Sequence, residues 1–122
     1  MGKRVLLIED EPNIIEAITF LLKHDGWSVS SHSDGANAIE VVQRTQPDLL
    51  ILDVMLPNRS GFDILQELRA NDQTPRLPIL MLTAKGQAKD REIAERFGAD
   101  VYMTKPFSNQ EMRDAVRRLA TP

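Results

Sequence analysis

The sequence predicts an α/β fold in which a five-stranded parallel sheet is covered by helices on both faces. Short apolar runs alternate with longer segments of helical period, and the third and fourth runs are apolar nearly throughout. Strands covered on both faces read as continuous apolar runs, and strands that alternate with helices along a chain pair in parallel. The length of 122 residues suits a single domain, spanning residues 1–122.

Each predicted strand is followed by an apolar stripe of helical period. The strands, in order, are RVLLIE (4–9), WSVSSH (27–32), DLLILD (48–53), PILMLT (78–83) and DVYM (100–103). The helical stripes are Ile14, Ile15, Ile18, Leu21 and Leu22; Ala38, Ile39 and Val42; Phe62, Leu65 and Leu68; Ile93 and Phe97; and Met112, Val116 and Leu119. Glycines and prolines lie at the joints, where a helix could not continue.

Right-handed crossovers turn five such strand–helix pairs into a three-layer sandwich, for which the flavodoxin-like strand order 2-1-3-4-5 is expected. In such a sheet, ligands bind at the carboxyl ends of the strands where the order reverses, between the first and third strands. The first strand ends at Glu9 and Asp10, and the third ends at Asp53. We therefore expect three carboxylates to meet at this edge.

Composition excludes several classes of function. The net charge of −3 and the pI near 5.3 argue against direct nucleic-acid binding, which usually requires a basic surface. No cysteine is present, so disulfides and thiolate metal sites are excluded. The sequence contains neither a membrane-spanning run nor an amino-terminal signal core, which favours a cytoplasmic location.

The acidic run Glu9–Asp10–Glu11 has two interpretations. Acids and a following Pro12 are typical of a helix start. Alternatively, the acids hold a cation together with Asp53, which closes an apolar run and needs a partner if it is buried. Magnesium, which takes one or two carboxylates plus a phosphate and keeps several waters, fits such a site better than calcium.

The same edge of the sheet receives a hydroxyl from Thr83 and an ammonium group from Lys105. Each has an ordinary interpretation, as a β-branched strand former and as a solvated loop lysine. Taken with the carboxylates, however, they complete the set of groups needed to hold a metal ion and a phosphoryl group.

Four segments with these residues resemble the receiver domain of bacterial two-component response regulators, from Lys3 to about Ala120. They are LLIEDEP, PDLLILDVMLPNRSGFDIL, PILMLTA and GADVYMTKPFS. The resemblance implies that Asp53 is the phosphoacceptor. It also implies that Glu9, Asp10, Asp53 and the backbone carbonyl of Met55 bind Mg²⁺, or Mn²⁺ in its place.

The resemblance also implies how the domain switches. Thr83 matches the hydroxyl that bonds the phosphoryl group, Lys105 matches the lysine that pairs with it, and Tyr102 matches the aromatic switch residue. The bond between Lys105 and Pro106 matches one that is cis in the family, a form that X-Pro bonds can adopt.

The implied function is phosphoryl transfer from a sensor histidine kinase, or from a phosphotransfer protein, to Asp53. The domain would catalyse only its own phosphorylation and dephosphorylation. The face built by the fourth helix, fifth strand and fifth helix would then bind a downstream protein or an output domain, or form a homodimer; no output domain is expected within residues 1–122. Candidate residues on this face are Lys89, Arg91, Glu92, Asp100, Arg113 and Arg117.

Two other functions fit parts of the pattern. One is a receiver-like interaction module that is never phosphorylated, although such modules usually lack one of the site residues, all of which are present here. The other is a magnesium-dependent phosphohydrolase of the haloacid dehalogenase type. Those enzymes need a second acid two residues after the nucleophile, where this sequence has Met55.

Overall fold

The predicted fold class is confirmed by a computed structural model, which describes residues 3–70, 76–84 and 88–120. Five parallel strands form one sheet in the order β2-β1-β3-β4-β5. The strands are β1 (Arg4–Ile8), β2 (Ser28–His32), β3 (Leu49–Asp53), β4 (Ile79–Thr83) and β5 (Val101–Thr104). The helices are α1 (Pro12–His24), α2 (Ala38–Thr45), α3 (Gly61–Ala70), α4 (Ala88–Arg96) and α5 (Asn109–Ala120).

The burial of each strand follows its position in the sheet. Every residue of β3 and β4 is buried, whereas β2, at the edge, has no fully buried residue. The register aligns Ile8 with both His32 and Leu52, and Asp53 with Leu82. The carboxyl ends of the three central strands therefore reach the same edge of the sheet.

Two apolar layers hold the helices against the sheet. One layer packs α1 and α5 on one face, through residues such as Leu22 and Met112. The other packs α2, α3 and α4 on the opposite face, through residues such as Val42, Leu65 and Ala94. Both faces of the central strands are covered, and the side chains of β3 are apolar up to its last residue, Asp53. The Asp53 carboxylate therefore lies in packed surroundings that hold little water.

The predicted strand boundaries differ from the observed ones by a single residue. At β5 both boundaries shift, and the strand begins at Val101 and not at Asp100. Asp100 instead anchors the start of the strand: its carboxylate accepts hydrogen bonds from the Arg69 guanidinium and the Ile79 N–H, at 2.9 Å each, and also pairs with Arg76. Within the described residues, none of the helices is long and apolar enough to cross a membrane.

Candidate functional site

Three carboxylates meet at the carboxyl edge of the central strands. Glu9 follows β1 and is fully buried, Asp53 ends β3 with 2% of its surface exposed, and Asp10 is exposed. One carboxylate oxygen from each lies within 4.8 Å of the others. The strand order alone brings these residues together, because β1 and β3 are hydrogen-bonded neighbours.

Among the described residues, one ammonium group lies close to these acids. Lys105 Nζ is 2.9 Å from Glu9 Oε1, 3.0 Å from Glu11 Oε1 and 3.3 Å from Asp53 Oδ2. The backbone N–H of Lys105 donates to the Thr83 carbonyl oxygen at 2.7 Å, and the Lys105–Pro106 peptide bond is cis. The loop after β5 is thereby joined to the end of β4, and the lysine side chain points into the acidic cluster.

Glu11 has a role that neither interpretation of the acidic run included. It occupies the N-cap position of α1, yet its side chain makes no capping hydrogen bond. Its carboxylate pairs with Lys105 instead, while its N–H donates to Glu9 Oε2 at 3.1 Å. Glu11 therefore supplies a counter-charge for the lysine.

The electrostatics of the cluster favour the arrival of a further cation. Burial raises the pKa of Asp53 to about 7, the charge of Glu9 adds to the rise, and Lys105 opposes it. Burial alone would lower the pKa of Lys105, but its hydrogen bonds to Glu9 and Glu11 and the charge of Asp53 raise it overall. The lysine thus stays charged, whereas Asp53 is partly protonated at neutral pH, mainly because it is buried and secondly because of the charge of Glu9.

The donor set fits a hard divalent cation. Asp53 Oδ1 is buried and accepts no hydrogen bond from the part of the chain that the structure describes. Such an oxygen is costly unless it gains a partner, and oxygen atoms are the ligands that Mg²⁺ prefers. Glu9, Asp10 and Asp53 supply carboxylate oxygens. Met55 lies two residues beyond Asp53 with its side chain 71% exposed, so only its backbone could contribute.

The hydroxyl-bearing residues lie on the adjacent strands. Thr83 ends β4 and is buried, and Tyr102 lies on β5, the strand paired with it. Burial raises the pKa of Tyr102, and the nearby Thr83 side chain opposes this shift. The Arg91 guanidinium of α4 lies 5.5 Å from the centre of the Tyr102 ring, within cation–π range. Tyr102 is thus close to both Thr83 and α4, while its buried hydroxyl has no hydrogen-bond partner among the described residues.

Two of the candidate residues on the face formed by α4, β5 and α5 form ion pairs within the domain. Asp100 is held by arginines from outside that face. Arg113 of α5 pairs with Asp25, which follows α1, at 2.9 Å. These pairings join residues far apart in the chain, so neither was visible in the sequence.

Gly61 is a site residue that the sequence suggested only as a joint between elements. It begins α3, and its N–H donates to the Val54 carbonyl oxygen at 2.8 Å. A Cβ added to Gly61 would overlap the backbone carbonyl of Asp53. Glycine is therefore required for the helix to start directly against the residue that carries the acceptor carboxylate.

We expect Gly61→Ala to lower the free energy of unfolding by about 3 kcal/mol, because the neighbouring atoms are backbone and cannot rotate away. Denaturant unfolding of the variant measures this loss. Gly26→Ala is a suitable comparison, since its added Cβ meets nothing within 4 Å and only its φ of +95° is unfavourable, at about 1–2 kcal/mol. A Gly61→Ala variant as stable as the wild type would contradict the close approach.

Comparison with known proteins places this arrangement in a family. The family model described as "Response regulator receiver domain" matches residues 5–117. The chain is a member of the response regulator receiver domain family. The match covers every site residue named above, and the strand order and helix positions are those that the resemblance implied, so the recognition of the family from sequence is confirmed.

Individual relatives agree with this membership. The receiver domain is 43% identical over 115 residues to TcrX of Mycobacterium tuberculosis, covering 94% of this chain and 48% of the relative. It is 40% identical over 119 residues to the alkaline phosphatase synthesis transcriptional regulatory protein PhoP of Bacillus subtilis, covering 98% of this chain and 49% of the relative. The chain thus spans about half the length of these curated relatives.

A solved structure extends the comparison to three dimensions. It is the crystal structure of the receiver domain of the sensor histidine kinase PA1611 from Pseudomonas aeruginosa, with a magnesium ion coordinated in its active site cleft. Its TM-score to this receiver domain is 0.89 at 31% identity, and the match covers 100% of both chains. The chain is thus similar to a solved receiver domain in both sequence and fold.

Proposed function

We propose that this receiver domain accepts a phosphoryl group on the carboxylate of Asp53 from a phosphohistidine of a sensor histidine kinase or of a phosphotransfer protein. The main support is that Asp53 Oδ1 is buried at the end of β3 and receives no hydrogen bond from the described residues. The other oxygen, Oδ2, already faces Lys105. One oxygen of the carboxylate is therefore held in place while the other is uncommitted.

The transfer requires Asp53 to be ionised, with a carboxylate oxygen oriented towards the phosphorus atom. The Asp53 oxygen would attack phosphorus as the phosphorus–nitrogen bond breaks opposite to it, leaving the imidazole with the electron pair and giving an aspartyl phosphate. Lys105 pairs with the Asp53 carboxylate and can pair with a phosphoryl oxygen after the transfer. The pKa of about 7 means that a nearby positive charge is needed to keep Asp53 fully ionised at neutral pH.

Glu9, Asp10, Asp53 and the backbone carbonyl of Met55 would hold Mg²⁺, or Mn²⁺ in its place. The ion would supply positive charge, which lowers the pKa of Asp53 and offsets the charge of the phosphoryl oxygens. This fit is supported by the clustered carboxylate oxygens and by the excess of acids over Lys105 among the described residues of the site.

The switch would act through Thr83 at the end of β4 and Tyr102 on the neighbouring strand β5. A phosphoryl group on Asp53 would attract the Thr83 hydroxyl and the Lys105 ammonium, so the nearby Tyr102 side chain would change its position or its freedom to move. Such an event biases an existing equilibrium between two packings of the domain. The face formed by α4, β5 and α5 is where Tyr102 would pass the change on.

We further propose that this face binds a downstream protein or an output domain, or a second copy of the domain after phosphorylation. The relatives that the chain resembles include transcriptional regulators about twice its length. The net charge of −3 favours a route to nucleic acid through another domain and not through this one. The domain would work in the cytoplasm, where the donor phosphohistidine is produced.

The proposal is tested with a small-molecule phosphoryl donor, such as phosphoramidate, and with Mg²⁺ or excess chelator. We expect intact mass spectrometry to show one added phosphoryl group only when Mg²⁺ is present. Amide NMR shifts should then concentrate near Thr83, Tyr102 and Lys105. No adduct in a folded sample would favour the interaction-module function, and continuous release of phosphate without a stable adduct would favour a phosphohydrolase.

The exposed Met55 side chain predicts a long-lived phosphorylated state. Met55 lies two residues after the acceptor, is exposed, and offers no polar group to orient an attacking water molecule. We expect Met55→Asn to speed phosphate loss about tenfold, which corresponds to ~1.4 kcal/mol of barrier, and Met55→Leu to leave it unchanged. Loss of the phosphoryl mass over time measures both rates. If the wild type loses phosphate as fast as Met55→Asn, the role given to Met55 is wrong.

A further inference from the structure

The loop after β2 is joined to the loop after β3 by a pair of polar side chains. The Asn58 side-chain amide donates to both carboxylate oxygens of Asp34, at 3.0 and 2.9 Å. The carboxylate also accepts from the Ala36 N–H at 2.8 Å, which holds it in place. These bonds lower the pKa of Asp34, the bond from Ala36 first and that from Asn58 second, so the carboxylate is charged at neutral pH.

The backbone on either side supports this pair. The Gly35 N–H donates to the Pro57 carbonyl oxygen at 3.0 Å. A Cβ on Gly35 would overlap the Arg59 carbonyl oxygen, so the two loops lie directly against each other. Asn58 has a φ of +69°, in the left-handed region that asparagine tolerates better than most residues. We call the contact formed by Asp34, Gly35, Pro57 and Asn58 the loop clasp.

The loop clasp is connected to both of the segments that carry the cation ligands. The loop of residues 54–60 begins just after Asp53 and includes Met55. On the other side, the carbonyl oxygen of His32, two residues before Asp34, accepts the Glu9 N–H at 3.0 Å. The end of β2 and the loop that follows it therefore touch both the Glu9 segment and the Met55 segment.

The Met55 backbone needs such support because its own side chain does not provide it. That side chain is 71% exposed, so packing does not fix it. The base of the loop is closed by the bond between the Gly61 N–H and the Val54 carbonyl oxygen at 2.8 Å. The tip is held by the loop clasp. Without it, the loop would have to be ordered when the ligand binds, at a cost in affinity.

We propose that Asp34 and Asn58 are positioning residues for the divalent-cation site: their contact fixes the 54–60 loop, and with it the Met55 carbonyl, before the ion binds. This inference rests on the proposed function, since it requires a cation at Glu9, Asp10 and Asp53. Residues that orient metal ligands typically change metal affinity by about 10–100-fold when they are altered. We expect about tenfold for this exposed contact.

The test exchanges the two side chains in the full chain. Asn58→Asp places a carboxylate against Asp34 and should weaken Mg²⁺ binding about tenfold, measured by calorimetric titration with magnesium chloride. Added negative charge alone would tighten binding, so the direction of the change is diagnostic. The exchange Asp34→Asn with Asn58→Asp restores an amide–carboxylate pair without altering net charge, and it should recover the wild-type affinity. Asp63→Asn, at an exposed acid on α3, is the matched control and should match the wild type.

A second readout separates positioning from general damage. At saturating Mg²⁺, Asn58→Asp should be phosphorylated at the wild-type maximal rate, while the Mg²⁺ concentration for half-maximal rate rises about tenfold. Equal Mg²⁺ affinity in Asn58→Asp and wild type would overturn the inference, as would an exchange variant that folds but does not recover. A folded wild type that binds no Mg²⁺ would instead refute the proposed function, and this inference with it.

Discussion

We expect the Asp53→Ala variant to gain no phosphoryl group under conditions that modify the wild type fully. Loss of a nucleophile costs about a thousandfold or more in rate, because nothing else can form the covalent bond. The other acids are poorly suited to replace it. Glu9 accepts a hydrogen bond from the Glu11 N–H and pairs with Lys105. Asp10 is exposed and lies outside the strand, so it is not buried as Asp53 is.

The experiment compares intact masses after incubation with phosphoramidate and Mg²⁺. Asp63→Ala, which removes an exposed acid from α3, serves as the matched control and should be modified at the wild-type rate. Asp53→Asn should behave as Asp53→Ala does, which excludes an effect of side-chain volume. A phosphoryl adduct on folded Asp53→Ala at a rate near that of the wild type would show that another residue is the acceptor.

We also expect Asp53→Asn to stabilise the metal-free domain, with a gain that grows with pH. The folded-state pKa of Asp53 is about 7, against 3.8 for an aspartate side chain in water. Between these values the folded state holds a proton that the unfolded state has released. Raising the pH through this window therefore removes stability from the wild type, and the loss is complete above pH 7. Asparagine does not titrate and escapes this loss.

The gain of Asp53→Asn over the wild type should rise by about 3 kcal/mol between pH 5 and pH 8. Urea unfolding at several pH values, in excess chelator, measures it. Contributions from groups elsewhere cancel in the difference between the two proteins. Asp63→Asn should show a difference that does not change with pH. In saturating Mg²⁺ the advantage of Asp53→Asn should shrink or reverse, because the ion stabilises the wild type. A gain independent of pH would mean that folding does not raise the pKa of Asp53.

The sequence predicted the fold because each element is locally consistent. The fully apolar runs of β3 and β4 allow only a strand covered on both faces, and the strands of a parallel sheet end at a common edge. Glu9, Asp10 and Asp53 could therefore be assigned to one cluster from their places in the chain alone. Their predicted roles as metal ligands and acceptor remain predictions.

Side-chain pairings over long distances were not predictable in the same way. Glu11 meets Lys105 across 94 residues of sequence, and Asp34 meets Asn58 across 24. Asp100 was expected within β5 and on the face formed by α4, β5 and α5. It precedes β5 and forms an ion pair with Arg69. No local pattern distinguishes a charge that has such a partner from one that is solvated, because the partner is chosen by the folded surface. The sequence could therefore supply the site's main groups but not the contacts that position them.

The central claim, that Asp53 carries the phosphoryl group, is tested most directly by chemical trapping. An acyl phosphate is reduced by borohydride to an alcohol, so a phosphorylated aspartate becomes homoserine. The domain should be phosphorylated in Mg²⁺, treated with borohydride, digested and sequenced by tandem mass spectrometry. We predict homoserine at position 53, dependent on both donor and Mg²⁺. Homoserine at another acidic position, or a modified protein in which position 53 is still aspartate, would contradict the proposed function.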